Sequence, residues 1–158
     1  MPAFEGLLVH HDERFGFVVL VPDGWQRLDL QGSASGVFYA PDASDLLTGL
    51  AIDAEELPTR VRAKDLATLR SGLLDGLRRL HGFQLEHIEA ESISDLLTLE
   101  ARLTFRDGAS ARKRWVRLMY QGRTQIRLIA QAASPERFDY WEPMFFQAMR
   151  TIRFGDAY

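Results

Sequence analysis

The run from Leu97 to Phe154 limits the fold of this chain more than any other stretch. Leu97, Leu99, Ala101, Leu103 and Phe105 alternate with Thr98, Glu100, Arg102, Thr104 and Arg106. Alternation with a period of two predicts a strand with one buried face and one wetter face. Asp107-Gly108 signals a turn, because glycine reaches positive φ without a steric cost. A second strand is expected over Arg112 to Tyr120, and after Gln121-Gly122 a third over Thr124 to Ala133. The three form an antiparallel meander.

Counting residues gives a register to test. If Tyr120 pairs with Arg123, then Trp115 lies beside Leu128 and Arg117 beside Ile126. One face then holds Trp115, Met119, Ile126, Leu128 and Ala130. A three-residue turn at Asp107 to Ala109 adds Leu99, Ala101, Leu103 and Phe105 to it. The other face carries Arg102, Arg106, Arg112, Arg114, Arg123 and Arg127 with Val116, Leu118, Tyr120 and Ile129. Arg117 and Ile129 are misfits on their respective faces.

Ser134-Pro135-Glu136 reads as a helix start. Serine caps free N–H groups, proline fits the first helical position, and glutamate favours the positive end of the helix dipole. Phe138, Trp141, Phe145, Met149 and Ile152 recur at helical spacing and are read as core facing the sheet. Pro143 predicts a kink or a broken first turn near Asp139 to Glu142.

The 158 residues suit one domain with a single sizeable core. The absence of cysteine excludes disulfides, thiolate catalysis and cysteine metal sites. The N-terminal residues lack a basic segment followed by an apolar run, and no stretch is apolar enough to span a membrane, so a cytoplasmic location is expected. Net charge is only −3 but is unevenly spread. Residues 1–58 hold ten acids and two bases, whereas residues 101–127 hold eight bases and one acid. Such asymmetry either steers partners or averages out over a small surface.

Taken in order, Phe4 to His10 reads as a short strand or an arm. His10-His11-Asp12-Glu13 reads as a solvated turn, since neighbours on extended backbone point apart and do not converge on one ion. Phe15 to Val21 is a strand stopped by Pro22-Asp23-Gly24, and Trp25 plugs one end of the core or serves as an exposed anchor. Gln31 to Gly36 lacks the spacing of a phosphate loop. Strands follow at Val37 to Ala40 and Leu46 to Glu55. Asp53, Glu55 and Glu56 read as solvated acids. A long helix is expected over about residues 60–81, with Leu66, Leu69, Leu73, Leu77 and Leu80 as its apolar stripe. Gly72 and Gly76 suggest close packing of that helix on the sheet. Phe83 to Glu91 reads as an edge strand, and neither His81 nor His87 sits in a triad pattern.

The order of these elements, with VPDGW at residues 21–25 and a closing pattern of Phe138, Tyr140, Pro143, Phe145 and Phe154, resembles the PsbP-like superfamily. That superfamily takes in the photosystem II extrinsic protein, Mog-type import factors that bind the GTPase Ran, and bacterial domains of unknown function. The resemblance covers nearly the whole chain. It implies an α+β fold: a single-domain α/β/α sandwich over residues 1–158. Its central antiparallel sheet would have about six to seven strands, with the long helix and a C-terminal helix over about residues 135–152 packed on it. It also implies mostly non-enzymatic roles: docking to a larger complex, binding a GTPase, or chaperoning secreted effectors.

No residue matches a catalytic, cofactor-binding or metal-ligating motif, and none is assigned such a role. The leading expectation is a protein-binding adaptor, accessory subunit or chaperone that uses an open strip of the sheet, with Arg102, Arg114 and Arg127 beside Leu118 and Tyr120 as partner-binding residues. The partner is expected to be a protein; a homodimer is left open and nucleic acid is disfavoured. Binding of an anionic small molecule or nucleic acid by the same arginines is the second expectation. An enzyme built on Asp53 to Glu56 and a histidine is the third.

Overall fold

Seven strands join in one antiparallel sheet, and their lateral order decides which side chains share a face. The structure, a computed structural model, describes residues 2–32 and 35–156. In chain order the elements are β1 (Leu7–Asp12), β2 (Phe17–Pro22), β3 (Gln26–Asp29), β4 (Val37–Ala40), β5 (Gly49–Glu56), α1 (Leu66–Leu77), β6 (Gln84–Ile93), β7 (Leu96–Asp107), β8 (Ser110–Gln121), β9 (Thr124–Ala132), α2 (Pro135–Thr151) and β10 (Arg153–Phe154). The large sheet runs β3-β4-β5-β9-β8-β7-β6, and a small sheet runs β1-β2-β10. The architecture is α+β, with two helices packed on a mostly antiparallel sheet.

Both hairpins of the meander close through two-residue turns. Asp107 pairs with Ser110, and Gln121 with Thr124. Gly108 (φ 63°) and Gly122 (φ 61°) take the first central position of each, where positive φ matches the twist of the flanking strands. The β8–β9 register is two residues from the one counted above: Trp115 faces Ala130 and Arg117 faces Leu128. A shift of two preserves faces. The β7–β8 turn is one residue shorter than expected, and a shift of one exchanges them. Leu99 therefore pairs with Leu118, and Arg102 with Trp115.

The sheet thus has an apolar cluster on each side instead of one core. Trp115, Met119, Ile126, Leu128 and Ala130 pack with Phe17 and Val19 of β2 and with Phe138, Phe145 and Met149 of α2. Leu97, Leu99, Ala101, Leu103 and Phe105 join Val116, Leu118 and Tyr120 on the opposite side, under Leu69, Leu73 and Leu77 of α1. We call these the α2 face and the α1 face.

Helix α2 begins as its sequence predicts: the Ser134 hydroxyl accepts from the Arg137 N–H at 3.1 Å. The helix continues unbroken through Pro143. At its far end the Thr151 hydroxyl accepts from the Leu20 N–H at 3.0 Å, tying α2 to β2. Helix α1 is shorter than expected. Its first turn is a separate 3-10 turn over Ala63–Asp65, where the Asp65 carboxylate accepts from the Arg62 N–H at 2.9 Å. Residues 78–81 leave the helix as turns before Gly82 (φ 65°).

Two local expectations are corrected. His10, His11 and Asp12 belong to β1, and His10 and Asp12 are buried at 5% and 8% exposure. A hydrogen bond of 2.8 Å between His10 Nδ1 and the Tyr39 hydroxyl offsets part of the cost of that burial. Gly72 and Gly76 are not sites of close packing, because a Cβ on either would meet no atom within 4 Å. Gly49 is the glycine that close approach requires: a Cβ there would stand 2.2 Å from the Tyr39 carbonyl oxygen.

Candidate functional site

Helix α1 covers only the β6–β7–β8 side of its face, and this partial cover creates a groove. Beside the helix a hollow of about 250 Å³ is lined by Gly72, Gly76, Arg114, Leu118, Arg127 and Ile129. The glycines widen it by withholding side chains. A second hollow of about 410 Å³ continues across β9, β5 and β4, lined by Leu28, Phe38, Leu46, Ala51, Arg114 and Ile129. Arg114 and Ile129 line both, so the two hollows form one strip. Leu46 (52% exposed) and Leu47 (44%) add exposed apolar surface near its far end.

The charges of the strip are mostly satisfied from within. Arg127 Nε lies 3.4 Å from Asp53 Oδ1. Burial raises the Asp53 carboxyl above its ordinary value, against the pull of Arg127. Arg112 pairs with Asp107 at 2.6 Å, and Arg123 with Glu56 at 3.5 Å. Arg114 differs. Its Nε and Nη2 both donate to Gln131 Oε1, at 3.2 and 3.0 Å, and its guanidinium lies 4.6 Å from the Phe105 ring centroid. Among the described residues no carboxylate pairs with it. Burial, followed by the neighbouring Arg112, pushes its pKa down from the usual arginine value. A half-buried cation with only neutral partners favours an incoming anionic group.

The five residues predicted to bind a partner separate in space. Arg114, Arg127 and Leu118 line the groove. Tyr120 shares their face but is 4% exposed and packs into the α1 cluster. Burial raises its hydroxyl pKa. Arg102 is on the α2 face, where it stacks on Trp115 and pairs with Glu142 at 2.6 Å. Glu100 accepts from Trp115 Nε1 and from Arg117 Nη1 on that same face. This pairing explains how Arg117, a misfit in the alternation, is accommodated.

The acids weighed as enzyme components have other partners. Asp53 pairs with Arg127, Glu55 with Gln125 at 3.3 Å, and Glu56 with Arg123. His10 bonds Tyr39, and His87 lies 3.0 Å from Glu89. The acid–histidine pair considered from the sequence is therefore not formed among the described residues. No group of three or more histidine, aspartate or glutamate side chains gathers there as metal ligands would. No helix among the described residues is long and apolar enough to cross a membrane.

Sequence reasoning missed the contribution of Gly72, Gly76, Phe38 and Gln131 to the groove. Two signals pointed to it: glycines four apart in a helix facing a sheet, and Ile129 as an apolar residue among arginines.

Scans against protein-family models and against curated proteins find no match. Solved structures do match. Cyanobacterial PsbP (CyanoP) from Synechocystis superposes with a TM-score of 0.66 at 17% identity, covering 98% of this chain and 97% of that one. This chain has the PsbP-like fold. The same PsbP-like arrangement appears in LpqN of Mycobacterium tuberculosis, described as involved in cell envelope biogenesis (TM-score 0.63, 15% identity, 95% and 91% covered). It appears again in the Ran-binding protein Mog1p of Saccharomyces cerevisiae (TM-score 0.60, 11% identity, 96% of each chain covered). At these identities the likeness is one of fold, and it agrees with the resemblance carried by VPDGW and the α2 aromatics.

Proposed function

We propose that this chain is a non-enzymatic protein-binding adaptor or accessory subunit, acting as a single PsbP-like domain over residues 1–158. The groove on its α1 face holds a segment of a partner protein that carries a carboxylate beside apolar side chains. The observation behind this reading is Arg114: a half-buried guanidinium with no acid partner among the described residues, at the junction of two apolar hollows. Arg127 and Leu118 belong to the same surface, whereas Arg102 and Tyr120 serve the fold. Mog1p, which shares the fold, is named for binding the protein Ran, which is consistent with a protein partner.

The apolar lining supports a protein segment over nucleic acid. A nucleic-acid surface presents several free cations to a phosphate backbone, and here Arg112, Arg123 and Arg127 already have carboxylate partners. The cytoplasmic location expected from the sequence is part of this proposal. LpqN, of similar fold, is described as involved in cell envelope biogenesis, and fractionation of source cells tests the cytoplasmic location.

The test compares proteins captured from source-cell lysate by the wild type and by the Arg114→Glu and Arg102→Gln variants. Each stoichiometric protein recovered is then purified and its affinity measured. Arg114→Glu is expected to weaken binding at least about tenfold, with Arg102→Gln near wild type. Equal binding by Arg114→Glu and the wild type removes the groove from the reading.

A further inference from the structure

On the α2 side of the sheet, a separate cleft of about 300 Å³ lies where the turn after β2 meets the first turns of α2. Trp25, Tyr140 and Trp141 line it, together with Glu5 and Asp23. The Trp25 and Trp141 rings are 5.5 Å apart at 86°, and the Tyr140 and Trp141 rings 4.9 Å apart at 89°. Both contacts are edge-to-face, an ordinary preference of aromatic pairs, and they leave three aromatic side chains walling one cleft.

Local sequence builds this corner. Pro22-Asp23-Gly24 turns the chain, with Gly24 at φ 83°, and delivers Trp25 to α2. The Asp23 N–H donates to the Gly6 carbonyl at 2.9 Å, which fastens the N-terminal arm to the turn. Glu5 Oε2 consequently lies 3.3 Å from where a Cβ on Gly24 would stand. Asp23 Oδ1 accepts from the Gly24 N–H at 2.9 Å. No arginine, lysine or histidine lines the cleft, and neither Glu5 nor Asp23 joins an ion pair among the described residues. Aromatic faces are electron-rich, and two unpaired carboxylates add full negative charge beside them. Their combined field selects a cation with apolar flanks.

We infer that this cleft binds an organic cation, a substituted ammonium or a guanidinium. Two sources offer that chemistry: a free quaternary ammonium compound, or a lysine or arginine side chain of a bound peptide. This inference is independent of the groove on the α1 face.

The experiment follows the three indole Nε1–H signals of the intact ¹⁵N-labelled chain by NMR. Tetramethylammonium chloride, N-acetyl-lysine methylamide and N-acetyl-arginine methylamide are titrated separately, with sodium chloride at matched ionic strength as reference. At least one cation is expected to shift the Trp25 and Trp141 indoles saturably and leave Trp115 in place. Tightest binding of tetramethylammonium identifies a free quaternary ammonium as the source. Tightest binding of either amino-acid derivative identifies a peptide side chain. Tyr140→Ala, and Glu5→Gln combined with Asp23→Asn, remove exposed groups and are each expected to weaken binding about five- to tenfold. An unmoved Trp115 signal confirms that these variants are folded. The inference is overturned if no cation moves the two indoles beyond sodium chloride, if all three indoles move together, or if the variants bind as the wild type does.

Discussion

The Arg102 guanidinium carbon lies 3.7 Å from the Trp115 ring centroid, on the sheet face opposite Arg114. The two arginines belong to neighbouring strands, twelve positions apart in sequence, but they do different work. Arg102 is held by Trp115 beneath it and Glu142 beside it. Arg114 has a glutamine and the face of the Phe105 ring for company, and it faces the groove.

Arg102→Ala is therefore expected to cost about 1–2 kcal/mol of stability, from lost stacking and lost cover over Trp115. The ion pair with half-exposed Glu142 contributes the smaller share. Urea denaturation measures this loss. Binding through the α1 face should be unchanged in the same variant.

Gly72 separates stability from binding. It lies within α1, where glycine costs about 1 kcal/mol relative to alanine, and open space surrounds its missing Cβ. Gly72→Ala should raise stability by about 0.5–1 kcal/mol in thermal or urea melts. Gly72→Leu should keep the fold while narrowing the groove, so its partner affinity falls although its melting temperature does not. A protein that binds elsewhere would be indifferent to the leucine.

His10 gives the fold an acid-sensitive point. Burial is the main cause that lowers its pKa below 6.5, followed by the charge of Arg27; His11 acts the same way and Asp12 opposes them. With the folded pKa below the unfolded one, the unfolded chain binds more protons between the two values. Stability is thus greatest above the unfolded pKa and declines as pH falls through the lowered folded value. Melting temperatures from about pH 7 to about pH 5 should drop more steeply for the wild type than for His10→Phe, which has no imidazole to protonate.

The sequence made the fold legible where pattern and turn chemistry agree. Alternation over Leu97 to Phe105, the Ser134 cap and the α2 aromatics each led to the observed element. What it left open was parity. Asp107-Gly108-Ala109 suits a turn of either two or three residues, and that single difference moved Leu99 and Arg102 to opposite faces from those expected. The candidate site inherited the error: Arg114, Arg127 and Leu118 line the groove, and Arg102 lies across the sheet. His10 was hidden for another reason. Four polar residues in a row read as a turn, and only the distant Tyr39 hydroxyl, 29 positions away, provides the partner that makes burial tolerable. Gly72 and Gly76 were visible as a pair, but a glycine pair in a helix fits close packing and open space equally well until the sheet register is known.

The central claim is that a partner protein lies on the α1 face, and photo-crosslinking tests it most directly. Leu46, 52% exposed, lines the groove, whereas Phe146, 41% exposed, sits beside Trp115 on the α2 face. Each is replaced in turn by p-benzoylphenylalanine, as Leu46→p-benzoylphenylalanine and Phe146→p-benzoylphenylalanine, and the complex with the captured partner is irradiated. The account predicts a covalent adduct from position 46 and none from position 146. An adduct from position 146 with none from position 46 would contradict it.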